Sequence, residues 1–428
     1  MGVPTVTVAT TEFIALGKTT ALSQGAADVC FVVVSHPMGM ISLDEIKKKA
    51  DTAFPEILKV STQWKPTAKL PPMKPPYPAE RFKFKGTGQD VSRLFFDKGW
   101  SLGLPIIPPT PERVARMLKG TSRKPDEVIG IVPPRMGVLT VEQVAVHAVM
   151  ADCKPEYMPV LIAALEALLA PEASWRGAAT TTGTSAALIV VNGPIVKEIG
   201  IAYEQGSAGK GHHANAAIGY AINFVTYTVG GSKPPSPDKG TLAAPSDFVC
   251  WIFGENEDAL PKGWKPYHVD RGFKKTDSVV TFMGTYPPID NIDHWSVAPE
   301  ELVRWWTYLV SPLTNIGGSC LPMQMDLPVI IGLGPEHAKL LADSGWTKNQ
   351  FREAFWKNVR MPFSGFPKGC SNKEVLEQKI GPVGPDTLIP IIVKPEYVHL
   401  VIAGGAGKHS HYFAPFVGCL PVSKPVKK

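Results

Sequence analysis

Residues 1–17 read MGVPTVTVATTEFIALG, and this opening decides what kind of fold the chain begins with. Pro4 to Ala9 is a run of Val and Thr, the composition of a buried β-strand, and it ends at the polar triplet Thr10, Thr11, Glu12. A helix over Ile14 to Gln24 follows, then a second strand from Cys30 to Val34 and a turn at His36, Pro37, Met38 and Gly39. Ser42 with Glu45 three residues on forms a capping box, and Ile46, Ala50, Phe54 and Ile57 give the next helix one apolar face. The order strand, helix, strand, helix is half of a layered α/β domain. Two strands and two helices leave apolar surface and an open sheet edge in water, so the expectation is that another polypeptide completes the sheet.

WKPTAKLPPMKPPYPAE, residues 64–80, carries proline at a density that blocks helix and central strand and favours an extended arm. The organisation predicted is a half-domain over 1–62, a Pro-rich linker or wrapping arm over 63–89, and a large domain over 90–428. In the large domain, helices are predicted over Asp90 to Lys98, Pro111 to Leu118, Val141 to Met150, Met158 to Leu169, His213 to Thr226, Pro299 to Leu309, Glu336 to Asp343 and Lys348 to Asn358. Strands are predicted over Ala187 to Val191, Phe248 to Phe253, Ser278 to Met283, Pro328 to Leu333, Thr387 to Val393 and His399 to Ala403. The fold class is α/β: a split, Rossmann-like N-terminal half-domain joined by the Pro-rich linker to a larger mixed α/β (α+β) domain.

The bulk numbers exclude several function classes. A 428-residue chain with 44% hydrophobic residues has enough apolar material for a large core. Its net charge of +6 is spread thinly, which argues against nucleic acid as a partner. No run of about 18 apolar residues marks a membrane span, and no leader pattern opens the chain, so a cytoplasmic location is expected. Six cysteines lie far apart without a C-x-x-C pair, which fits reduced thiols better than a disulfide framework.

Three stretches carry residues suited to chemistry. VHLVIAGGAGKHSHYF (398–413) is an apolar strand running into glycines. It is either a tight strand-to-helix turn or an anion site in which backbone N–H groups at Gly405 join Lys408, His409 and Ser410; it lacks the Walker A spacing. EQGSAGKGHHANAAIGYAINF (204–224) is a Gly/Ser loop feeding a helix near His213, with His212, His213 and Asn215 beside the helix start as donors or proton carriers. NIGGSCLPMQMDLPV (315–329) sets Cys320 between two glycines and a strand, a place for an exposed thiol or for an inert turn cysteine. Weaker clusters are Asp290, Asn291, Asp293 and His294 in one loop, and Asp152, Cys153 and Glu156 after a helix. No metal ligand set is assigned, because three ligands from one loop rarely suffice.

The opening segment resembles the UGSC family of thiol and selenol proteins, itself similar to the selenoprotein B subunit of glycine, sarcosine and betaine reductases. The matching residues are Gly2 and Pro4 in the first strand, Thr11 with Glu12 at its end, and His36, Pro37 and Gly39 after the second. The family's redox motif belongs to a preceding strand-and-turn unit. The resemblance therefore implies that a redox-active Cys or selenocysteine sits on a partner, a small UGSC- or CGSC-type subunit, packed against Thr10, Thr11, Glu12 and His36. Further stretches, including VNGP with Asn192, the HHANAAIGYA helix and VIAGGAGKHS, resemble the large region found with UGSC-type domains; the relatives' Asn-Arg pair is replaced here by His212 and His213.

The reading that follows is a large subunit of a hetero-oligomeric thiol- or selenol-dependent enzyme acting on a carbon–heteroatom bond of a small organic acid, reductive cleavage favoured. Glu12, His36, His212, His213 and Cys320 are the catalytic candidates. Thr10, Thr11, Asn192, Asn215, Gly405, Lys408, His409 and Ser410 are the candidates for binding the substrate anion. The rivals are a redox-neutral lyase or hydrolase, with or without a metal, and a non-catalytic scaffold for a redox small subunit.

Overall fold

The computed structural model describes residues 5–23, 28–38, 41–65, 77–310, 326–366 and 372–427. Gly2, Pro4, Gly39 and Cys320 lie outside them.

The N-terminal unit is a two-stranded parallel ribbon with two helices. β1 (Thr7–Thr10) pairs with β2 (Phe31–Val34) in the register Thr7 to Phe31 and Thr10 to Val34. Between them runs α1 (Ile14–Ser23), and α2 (Leu43–Gln63) follows. The capping box read at Ser42 and Glu45 forms on both sides: the Ser42 hydroxyl accepts from the Glu45 backbone, and the Glu45 carboxylate accepts from the Ser42 backbone. That arrangement satisfies two N–H groups that the helix itself leaves unpaired. Val32 and Val34 pack on Ala53, Ile57 and Val60 of α2, while Phe31 on the other sheet face meets α1 beside Gly17.

Two four-stranded sheets build the rest. The first runs β14–β7–β5–β6, from β5 (Ala186–Asn192), β6 (Trp251–Gly254), β7 (Val279–Thr285) and β14 (Val422–Pro425). The second runs β12–β9–β13–β8, from β8 (Ile289–Ile292), β9 (Val329–Leu333), β12 (Val398–Ile402) and β13 (His409–Phe413). β5 is parallel to β6 and β9 to β12, and the other neighbours are antiparallel. Small ribbons complete the described strands: β3 (Val128–Val132) with β4 (Gly137–Thr140), and β10 (Arg360–Pro362) with β11 (Leu388–Pro390).

Side-chain alternation along the strands sets the layers. Leu188 and Val190 of β5, Phe253 and Met283 meet Ile330, Val401 and Phe413 of the second sheet, so the two sheets pack face to face. Ile189, Val191, Val280 and Phe282 point the other way, into helices Val141–Met150, Met158–Leu168 and His213–Thr228. On the far side Ile331, Leu333, Leu400 and Ile402 meet Leu302, Trp306, Leu341, Phe351 and Phe355 from helices Pro299–Val310, Pro335–Asp343 and Lys348–Asn358. The result is four layers, helix, sheet, sheet, helix. Burial on both faces explains why β5 reads AALIVVN without a polar break, each large aliphatic contributing about 1.5–3 kcal/mol relative to exposure.

The mixed α/β class read from the sequence holds, and the eight predicted helices of the large region recur within two residues at each end. One connection differs. The glycines at 404–407 do not turn into a helix; they lead into β13, which lies across β9 from β12. The arm Tyr77 to Arg81 wraps on the large unit: the Ala79 backbone and the Arg81 guanidinium both donate to the buried Glu142 carboxylate, and Phe82 packs on Phe95 and Trp100. Among the described residues no single helix is long and apolar enough to cross a membrane.

Candidate functional site

The carboxyl ends of β1 and β2 bring three predicted residues together. Thr10 Oγ1 lies 3.2 Å from His36 Nδ1, the His36 backbone N–H donates to Thr11 Oγ1 at 3.3 Å, and the Thr11 N–H donates to Val34 O at 3.0 Å. Lys49 of α2 fixes the turn by donating to Ser35 O and Pro37 O. Phe13 packs against the His36 ring at 5.8 Å. Strand ends of parallel α/β sheets are where such folds present ligand groups. Glu12 is exposed beside them and makes no hydrogen bond to any described residue.

That constellation sits inside the matched segment of a known family. Residues 1–63 match the UGSC family. No curated protein and no solved structure matches the chain. The matched segment thus supplies Thr10, Thr11 and His36 as one cluster, and Thr11 and His36 are among the residues that carry the sequence resemblance.

The 403–408 loop behaves differently from the anion cradle expected of it. Its Gly407 and Lys408 N–H groups, 2.5 and 2.7 Å away, both donate to Glu336 Oε2, so the loop already holds an anion, and it is the protein's own carboxylate. Those two donors keep the Glu336 carboxyl below its ordinary range. Lys408 Nζ is turned to His294 O at 3.1 Å. Gly405 touches the second glycine loop: a Cβ there would stand 2.5 Å from Gln205 Oε1.

Strand alternation then splits the neighbours of Lys408. Ser410 points inward, fully buried, donating to or accepting from His337 Nδ1 at 2.7 Å and accepting the Gly334 N–H at 2.9 Å. It is a core residue, which corrects its assignment as an anion ligand. His409 and His411 point outward with Asp290 of β8: His409 Nδ1 is 2.9 Å from Asp290 Oδ2 and its Nε2 is 3.3 Å from His294 Nε2. His411 stands 3.9 Å from Asp290, and its burial lowers its pKa. An Asp–His–His chain of this kind orients the imidazoles and passes a proton between them. Asp293, expected beside Asp290 and His294, instead closes a turn by accepting the Trp295 and Ser296 N–H groups.

The second loop yields another correction. Asn215 is only 3% exposed and fully occupied: Oδ1 accepts the Ala202 N–H at 2.9 Å, and Nδ2 donates to Ser207 O at 3.0 Å and Ile252 O at 2.9 Å. It clamps the loop onto the free edge of β6 and has nothing left for a substrate. His213 lies at the surface between Tyr157 (3.3 Å) and Asp152 (3.4 Å), a second hydrogen-bonded imidazole. His212 occupies the N-cap position without a side-chain cap bond.

Asn192, at the end of β5, is buried and donates to Glu255 Oε2 at 2.5 Å and Glu257 Oε1 at 3.4 Å. Burial pushes the Glu255 carboxyl up to about 7, and the Lys348 charge together with the hydrogen bonds it accepts offsets only part of that shift. The sequence reading missed Glu255, Glu257, Glu336 and His411. A signal was present only for the two glutamates of FGENED, which directly follow a strand. Three of the described thiols are poor nucleophiles: Cys153 and Cys250 are buried with pKa values pushed far up, and Cys419 is pushed up to about 12, while Cys30, just before β2, is only partly buried.

Proposed function

We propose that this chain is the large subunit of a hetero-oligomeric thiol- or selenol-dependent enzyme that cleaves a carbon–heteroatom bond of a small organic acid reductively. One observation carries the reading. The UGSC segment gathers Thr10, Thr11 and His36 at its strand ends while Val8 and Val33 (each 48% exposed), Phe54 (61%) and Leu58 (54%) leave apolar surface around a two-stranded ribbon. Exposure of that order on so small a sheet fits docking of another α/β element, proposed here as the small UGSC- or CGSC-type subunit. Cys153, Cys250 and Cys419 are buried and Cys30 is partly buried, and in this reading the reactive sulfur or selenium is the partner's.

In the proposed reaction the partner's thiolate displaces the heteroatom from carbon, forming S–C as C–X breaks. The leaving atom takes the bonding pair and a proton, a transfer assigned to His36 or Glu12. A second partner thiol then attacks that sulfur, the carbon takes up a proton, and the two thiols end as a disulfide. Substrate R–X becomes R–H and HX with two electrons drawn from the dithiol, which an external dithiol restores. Lys408, His409, His212 and His213 are assigned to holding the acid.

The test is co-expression with a small CGSC- or UGSC-type protein. The expected result is a stable complex that consumes dithiol in step with substrate, and that Phe54→Lys with Leu58→Lys dissociates while leaving the large chain folded. Full dithiol-dependent activity of the large chain alone, untouched by the double variant, would refute it. The Glu255, Glu257 and His268 cluster favours a second reading, a redox-neutral, metal-dependent lyase or hydrolase. Turnover without dithiol consumption selects that one. A scaffold without catalytic residues predicts that Lys408→Ala and His409→Ala leave the complex fully active.

A further inference from the structure

We propose that Glu255, Glu257 and His268 form a binding site for one divalent transition-metal ion of the Mn2+, Fe2+ or Zn2+ class. The three offer ligand atoms that lie within 4.8 Å of one another. They converge beyond the carboxyl ends of the parallel pair β5 and β6: Glu255 directly follows Gly254, Glu257 is two residues on, and His268 comes from the short helix Tyr267–Asp270. Two ligands about 2.1 Å from one ion stand about 3–3.6 Å apart at tetrahedral or octahedral angles. His268 Nδ1 is 3.7 Å from Glu257 Oε1, too far for a hydrogen bond and close to that separation.

The independent observation is His268 itself. It is 0% exposed, and neither ring nitrogen has a hydrogen-bond partner among the described residues. A buried imidazole with two orphaned nitrogens costs free energy unless something fills the gap. The buried Asn192 Oδ1 beside the two carboxylates is unpartnered as well. The carboxylates, by contrast, are held in place by donors: Glu255 accepts from Asn192 Nδ2, the Tyr267 N–H and the Ile402 N–H, and Glu257 from the Gly193 N–H. These bonds orient the ligands in the manner of an outer shell: Glu255 Oε2 and Glu257 Oε1 each accept two donors, while Glu255 Oε1 accepts one and Glu257 Oε2 accepts none from the described residues, so with two lone pairs per oxygen these last two keep capacity for an ion.

Entry is open. A cavity of about 220 Å³ lined by Gly193, Lys197, Tyr203, Glu255, Glu257 and Lys275 leads to the carboxylates. Two carboxylates with one imidazole suit a borderline ion better than Ca2+ or Mg2+, which prefer oxygen alone. The site uses this chain only, so it stands or falls independently of the proposed small subunit.

The experiment uses the full chain, chelated, dialysed and checked for its native circular dichroism. Mn2+ is titrated and free Mn2+ read by electron paramagnetic resonance, with Zn2+ and anaerobic Fe2+ as competitors and thermal midpoint as a second readout. The expected result is one equivalent bound with a raised midpoint, and affinity weakened at least about 100-fold in Glu257→Gln and in His268→Gln. Glu257 is partly exposed, so that variant keeps the fold testable if the change at buried His268 does not. Absence of stoichiometric binding by all three ions, or binding unchanged in folded Glu257→Gln, overturns the proposal.

Discussion

Replacing Asn215 separates its structural role from the ligand role its sequence context suggests. In Asn215→Ala the Ala202 N–H and the carbonyls of Ser207 and Ile252 lose partners at 2.9, 3.0 and 2.9 Å. Ser207 and Ile252 are buried, so water does not simply replace the amide. Each buried group left unpaired costs about 1–3 kcal/mol, and two to three of them give about 2–9 kcal/mol. A loss of about 3 kcal/mol from local opening corresponds to roughly two orders of magnitude in amide exchange. The assay is hydrogen exchange at Ala202 and along residues 202–207, with urea unfolding of the whole chain. Asn215→Asp is the sharper variant: it keeps the acceptor for Ala202 but turns a carboxylate oxygen toward two carbonyls, so it is more damaging at pH 7 than at pH 4. Wild-type protection and midpoint in Asn215→Ala, together with weakened binding of a small acid, would refute the clamp and restore the ligand role.

Two further outcomes follow from burial and backbone geometry. His147 is buried between Gln143 O and Thr228 Oγ1, and burial pulls its pKa down to about 4. Its folded pKa is below the unfolded value of 6.5, so the unfolded chain takes up the proton first. Stability present above pH 6.5 is lost as pH falls toward 4, by about 3 kcal/mol from this group, and the pH dependence of the thermal midpoint should flatten over that window in His147→Gln. Gly193 has φ +83°, and a Cβ there would meet Asp277 O at 2.1 Å, whereas Gly200 has φ +72° and open space around it. Both Ala variants bear the left-handed strain of about 1–3 kcal/mol, so Gly193→Ala must lower the urea midpoint more than Gly200→Ala does; equal shifts would show that the turn at Asp277 yields freely.

Local pattern carried much of the architecture. The Ser42–Glu45 capping box, the Pro-initiated helix at Pro111 and the unbroken apolar run of β5 are signals contained within a few residues, and each appears where its chemistry requires. β13 was hidden because HSHYF alternates two outward histidines with a buried serine and tyrosine, a polar string unless the strands on either side are known. β14 and β8 are four-residue edge strands and equally short of signal.

By itself the amino-acid order determined the α/β class and the helices, since propensity, capping and strand periodicity act over short spans, and it carries the match of residues 1–63 to the UGSC family. Which side chains share a site was decided by tertiary structure. Asp290 and His409 are 119 residues apart and meet only because β8 pairs with β13. Glu336 fills the glycine loop from 71 residues away, and Asn215 and Ser410 turn out to be core clamps whose hydrogen bonds are all made within the chain. Contacts of this range depend on strand pairing and layer packing, and no local window contains them.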